Sequence, residues 1–428
     1  MMGSKYHRFL ADRRVGPPRA GLAGVRSFCG GIGPTCLGPL PVRRGVPRRS
    51  GGGRYTDMRT SAGVIVAILL GVLARRACCQ LAGPRTMEVT LGQRKDLSLG
   101  GGDSTVAQQK IAAVHQGSAG HALVQSARGA IEIDTRGAII RRVTLPLGAG
   151  GNVVSGVAGC GDGQVMELST AGQLYVFAAG GAPPAHAQWP DSLGGAGFAL
   201  FGCVGGNAVG GWVLPSSPVT AANGLTLVDN TLEVIVATPS GQLVRHLASV
   251  PSVQTVDGLV RPFGPTAVVA VNANRVAIAR TDQTNVTVRS GPAFTATAIS
   301  MTGLLAHDVT VADREAWIHA LSVRTPAAIF EGKLRPILTA LSWPSHAPLW
   351  DRLLLDDRGR AWVRAYLMPA DSGGETWRAY GSAARTPAVL KLAPGERLLS
   401  IDHGNAWIAS STTNGRDRLQ IVALQNWP

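Results

Sequence analysis

Charge is scarce in this chain: Asp, Glu, Lys and Arg make up only 16% of its 428 residues. Apolar residues account for 45%, enough for a substantial core, and the length admits one large domain or two to three average ones. Compact catalytic signatures are missing. There is no Gly-x-Ser-x-Gly elbow, no Gly-x-Gly-x-x-Gly, no P-loop, no His-Glu-x-x-His, and no Cys-x-x-Cys outside the amino-terminal tail. These absences exclude enzymes that carry their chemistry on one short loop. They do not exclude a site assembled from residues far apart.

A basic domain is missing too. The net charge of +15 suggests a phosphate-binding surface, but its location argues otherwise. Residues 1–60 hold twelve Lys and Arg against two Asp, and Arg75 and Arg76 bring the first 83 residues to +12. Only +3 is left for residues 84–428, without a basic stripe interleaved by aromatics. No nucleic-acid partner is expected for that part.

Residues 1–57 are rich in Arg, Gly and Pro and show no apolar period, so the expectation is a disordered basic tail. The favoured reading, however, is that it is sequence upstream of a true start at Met58. The run Ala62–Ala74 holds 13 apolar residues or glycines, short of the ~20 a bilayer-crossing helix needs. With the short basic opening Met58–Ser61 and small residues near Cys79 and Ala82, residues 58–83 read as a signal peptide. An uncleaved membrane anchor is the competitor. Export to a secreted or periplasmic location is the expectation, and any membrane contact would run through 62–74. Past residue 83 only Cys160 and Cys203 remain, 43 residues apart, a disulfide candidate in an oxidising compartment.

What the chain has in abundance is turn formers: 55 glycines and 26 prolines without a collagen-like period. That composition points to short strands. A triplet then recurs, Ala316-Trp317-Ile318, Ala361-Trp362-Val363 and Ala406-Trp407-Ile408, at intervals of 45 residues. Alternation would place Trp317 and His319 on one strand face. Weaker copies start at Gly120, Gly163, Gly206 and Ala273, and with Asp313, Asp357 and His403 they make seven starts. A 40–50-residue strand-rich period is the signature of a β-propeller, an all-β ring of four-stranded blades. Residues 84–428 are therefore expected to form one, with six blades favoured and seven the alternative. Trp317, Trp362 and Trp407 would fill one repeated slot between blades.

Leu355–Val363, Trp377–Tyr380, Val389–Pro394 and Ile401–Ile408 resemble the closing segments of secreted six-bladed propellers of the Gemmatimonas type, distantly NHL-like. The resemblance covers roughly the last 80 residues well and 110–300 loosely. It implies six blades and no assigned activity. The chain departs from that pattern after the first repeat, where "GAGGNVV" replaces a Gly-Pro-Gly-Glu-Phe loop.

No catalytic residue and no cofactor can be named. Propeller enzymes of the lactonase kind gather Glu, Asn and Asp from separate blades round one Ca²⁺ or Zn²⁺. The candidates for such metal ligands are Glu315, His319, Asp356, Asp402 and His403, with Arg364 beside them. Each is equally a turn or core residue, since Asp before a β-turn bonds its own backbone. His307 and Asp308, adjacent on one strand, would point to opposite faces. A quinone-dependent dehydrogenase is disfavoured because the repeats lack its acidic-Thr-Gly turn. The sequence thus reads as an exported propeller that binds an unknown small molecule, glycan or protein at its channel face. A metal-dependent hydrolase and a membrane-anchored sensor are the alternatives.

Overall fold

The computed structural model describes residues 86–97, 111–116, 121–126, 129–134, 136–143, 154–169, 172–179, 184–189, 198–272, 274–381, 387–411 and 417–426. The basic tail and the apolar segment 62–74 lie outside them. Among the described residues no helix is long and apolar enough to cross a membrane.

Antiparallel four-stranded meanders follow one another along the chain. After β1 (Met87–Leu97), the first is β2 (Ile111–Gln116), β3 (Ala122–Ser126), β4 (Gly129–Ile133) and β5 (Ile139–Val143). The second is β6 (Val154–Gly159), β7 (Val165–Ser169), β8 (Gln173–Phe177) and β9 (Ala185–Gln188). The third joins β10 (Ala199–Val204), β11 (Asn207–Pro215), β13 (Thr226–Ala237) and β14 (Leu243–Val256), extended by the short β12 (Val219–Thr220) and β15 (Leu259–Val260). Next come β16 (Ala267–Asn272), β17 (Arg275–Arg280), β18 (Asn285–Ser290) and β19 (Thr295–Ser300).

The penultimate meander is β20 (Trp350–Leu355), β21 (Ala361–Ala365), β22 (Thr376–Tyr380) and β23 (Ala388–Lys391). The last has three strands of its own, β24 (Glu396–Asp402), β25 (Asn405–Ser411) and β26 (Asp417–Gln425). β1 supplies its outer strand: Thr90–Leu97 lies antiparallel to β26, with a register shift between Leu91 and Arg94. Met87–Val89 meanwhile runs parallel to Ala388–Leu390 of β23, fusing the last two meanders into one sheet. A strand from the start of the described chain therefore closes its end.

The first strands of successive meanders adjoin, β2 to β6 to β10 to β16 to β20 to β24, and β24 returns to β2. The arrangement is that of a β-propeller. Alternation along each strand puts apolar side chains on both faces, as sheets stacked face to face require. Val209 and Val234 thus meet Val276 and Ile278. Trp362 and Trp377 meet Leu398 and Ile401, while Leu399 and Trp407 meet Ile111 and Val124. Trp362 and Trp407 hold matching positions, each packed against the meander that follows. The cysteines staple second to third, Cys160 bonded to Cys203 with Cα atoms 5.2 Å apart.

The triplet at Trp317 departs from this pattern. Asp313–Ala320, expected as a strand, lies within α1 (Val311–Arg324). The cause is local: Thr310 and Asp313 form a reciprocal capping box, and Ala, Arg, Glu and Leu favour helix over strand. Trp317, Ile318 and Leu321 then share a helical face. After α1, α2 (Ala327–Ile329), a π-helical turn (Phe330–Leu334) and α3 (Arg335–Ala340) run on. This insertion precedes β20 and packs on the long ribbon of the third meander, where Phe330, Ile337 and Leu338 meet Leu225 and Val256. Trp317 is half-buried there and against Trp343 (ring centroids 6.0 Å), not between sheets.

Candidate functional site at the ends of the first strands

The 45-residue offset holds beyond the tryptophans: "DRLLL" at Asp351 aligns with "ERLLS" at Glu396, and "DRGRAWV" at Asp357 with "DHGNAWI" at Asp402. These stretches are the first strands β20 and β24 with the turns that follow. Their leading and trailing ends collect the ionisable groups.

At the leading end, Arg364 is the penultimate residue of β21, antiparallel to β20, so its guanidinium returns to the start of β20. It holds Asp351 in a two-point pair of 2.7 and 2.6 Å and also grips Glu375. Burial alone would lower its pKa, but Asp351 and Glu375 prevail and raise it. The second Glu375 oxygen accepts the indole N–H of Trp377 (2.9 Å) and the backbone N–H of Leu398 (3.0 Å) in the next meander. Asp417 repeats this role one meander on, accepting from Ile111 N–H (2.7 Å) and Arg397 (2.6 Å). Such carboxylates pin consecutive sheets together, and removing one partner of a buried pair typically costs ~3–5 kcal/mol.

Arg352, the counterpart of Arg397, is treated differently. Where blade-equivalent Ala409 leaves Arg397 its own carboxylate, Arg364 has taken Glu375, and Arg352 remains 3.9 Å from it. Its guanidinium makes no hydrogen bond to the described protein and lies over Trp377, 5.9 Å from the ring centroid. Burial first, then the neighbouring Arg364 charge, lowers its pKa, with Arg397 adding to the effect and Glu375 and Asp351 opposing it. Yet 23% of the side chain remains exposed. It is a recessed cation that water still reaches. Tyr366, whose pKa burial raises, links this end to the insertion through Phe263 and Trp343.

At the trailing end, ligand atoms of Asp357, Asp402 and His403 all lie within 4.8 Å of one another. His403 Nδ1 is 2.8 Å from Asp402, and that hydrogen bond raises the His403 pKa. Asp402 is raised as well, because burial outweighs the histidine. One oxygen each of Asp357 and Asp402 is buried without a partner.

Of the metal candidates read from sequence, the structure unites Asp402 and His403 and adds Asp357, the true counterpart of Asp402. Asp356 turns inward instead, 1% exposed, its oxygens bonded to Arg360 and to the Trp362 indole at 2.7–3.0 Å. Glu315 and His319 sit on α1, so their expected equivalence to strand positions does not hold. Asp308 faces His346 (3.2 Å) rather than His307. Sequence reasoning missed Arg352, Glu375, Arg397 and Asp417. The repeated acid-Arg-Leu-Leu at Asp351 and Glu396 was the available signal.

No protein-family model and no curated protein matches the chain. Solved structures do. The Neurospora crassa Pan2 WD40 domain is similar over 79% of this chain and 98% of its own, at 8% identity and a TM-score of 0.39. YCF48 bound to D1 peptide is similar over 80% and 99%, at 9% identity and 0.33. The AfRom2 CNH domain is similar over 80% and 100%, at 9% and 0.32.

Proposed function

We propose that this chain is an exported six-bladed β-propeller that serves as a binding or scaffold module, with its ligand or partner at the leading mouth of the channel. The observation that carries this reading is the recessed guanidinium of Arg352, which makes no hydrogen bond to the described residues while Arg364 and Arg397 beside it are held on carboxylates. Fixed charges that a fold leaves wet and without a hydrogen-bonded partner are suited to recognition, whereas those it bonds to carboxylates are suited to structure. Support for six blades comes from the closed circuit of first strands, in keeping with the secreted Gemmatimonas-type propellers that the carboxy-terminal segment resembles. The Cys160–Cys203 bridge supports export, since such bonds persist in oxidising compartments.

A metal-dependent hydrolase is the second reading, favoured by Asp357, Asp402 and His403. Three ligands suit a catalytic Zn²⁺ in number, but fall short of the six to eight oxygens that Ca²⁺ takes. One experiment separates the readings: intact mass and metal content of the protein from its native host. A mature chain beginning near Cys79 or Ala82, about 2 Da light for one disulfide, without stoichiometric metal, is the expected result. A reduced, unprocessed chain would remove export. Stoichiometric Zn²⁺ lost from an Asp402→Ala variant would replace the binding reading with the hydrolase.

A further inference from the structure

We propose that the leading mouth is a carboxylate site, in which the guanidinium of Arg352 receives the ligand's carboxylate above the Trp377 ring. The assignment rests on the binding reading above and names its ligand class. Arg352 offers five N–H donors in a planar fork, and among the described residues none accepts a hydrogen bond from them, the nearest carboxylate, Glu375, standing 3.9 Å away. A half-buried guanidinium that only water reaches is incompletely satisfied, and an anion with matching geometry supplies the missing acceptors.

Charge selects the class of anion. Arg352, Arg364 and Arg397 stand against Asp351, Glu375 and Asp417, so the cluster is neutral as folded. A carboxylate monoanion meets about half the repulsion from the nearby Glu375 and Asp351 charges that a phosphate dianion would meet. Geometry agrees: a carboxylate meets the guanidinium fork by two parallel hydrogen bonds. The repeat supplies an internal control. At the equivalent place one meander on, Ala409 stands for Arg364, Asp417 stays with Arg397, and no guanidinium is left over. One substitution in the repeat, Arg at 364, is what releases Arg352.

The test is a titration of the full chain, carrying ¹⁵N-labelled arginine, with acetate and benzoate at constant ionic strength. Chloride and inorganic phosphate serve as reference arms, and a short peptide acid is paired with its carboxamide. The expected result is one arginine Nε–H resonance shifting saturably, with a midpoint on the order of 1–10 mM, and absent from Arg352→Gln. Arg352→Lys keeps the charge without the fork and should bind at least about tenfold more weakly. A peptide acid that outcompetes acetate while its amide does not would identify a chain terminus as the source of the carboxylate. The assignment is overturned by no saturable shift, by an equal response to chloride or phosphate, or by a shift that survives in folded Arg352→Gln. A ligand of another class that still binds Arg352→Gln would remove the carboxylate assignment and leave the binding reading standing.

Discussion

Glu167 shows how one residue can make this fold pH-dependent. It lies on β7, fully buried, across from Val157 and Tyr175 and among Leu123, Ala130 and Val165. Both carboxyl oxygens lack a hydrogen-bond partner. Burial pushes its pKa up to about 8 from 4.5. The folded protein therefore holds this proton more tightly than the unfolded chain. The stability that Glu167 contributes should be fully present below pH 4.5 and decline toward pH 8, by at most ~1.4 kcal/mol per pH unit. Glu167→Gln should flatten this decline and be more stable than wild type near pH 8 by roughly 2 kcal/mol. Urea midpoints across that range check it; parallel slopes for the two proteins would refute the assignment.

At the scale of elements, the tryptophan triplet separates into two classes. Trp362 is fully buried between sheets, its indole N–H on Asp356 (3.0 Å), whereas Trp317 lies half-buried on α1. Trp362→Ala should cost ~3–5 kcal/mol of global stability. Trp317→Ala should cost only ~1–2 kcal/mol and act locally, speeding proteolysis of the insertion while leaving the denaturant midpoint nearly unchanged. Equal losses for both would mean that the insertion is integral to the propeller. The local misreading has a clear origin. Ala-Trp-Ile satisfies period 2 and period 3.6 alike over three residues, and only the Thr310–Asp313 capping box, just upstream, decides between them.

The molecule as a whole is closed by two long-range devices. β1 joins β26 and β23 across most of the chain length, and the Cys160–Cys203 bridge closes a 43-residue loop between the second and third meanders. A loop of that size stabilises by about 4 kcal/mol on chain-entropy grounds. Reduction, or the double Cys→Ala variant, should lower unfolding free energy by ~3–4 kcal/mol without altering the far-ultraviolet spectrum. A shift under ~1 kcal/mol would show that neighbouring packing already provides the constraint. Cooperativity follows from closure, because each sheet buries its faces only against its neighbours.

Much of this architecture was legible before folding. Glycine and proline content, alternation and the 45-residue recurrence all arise from local sequence, and strand period is a local property. The turns before β7, β11, β21 and β25 therefore fall at predicted starts. The same locality made Asp356 and Asp357 indistinguishable on paper, although one is buried on Arg360 and the other lies beside Asp402 and His403. Which charges are spent on each other depends on distances between meanders, and no local pattern encodes them. Only tertiary packing brought Arg364 to Glu375 and left Arg352 without a hydrogen-bonded partner, because electrostatic pairing is settled by proximity in space.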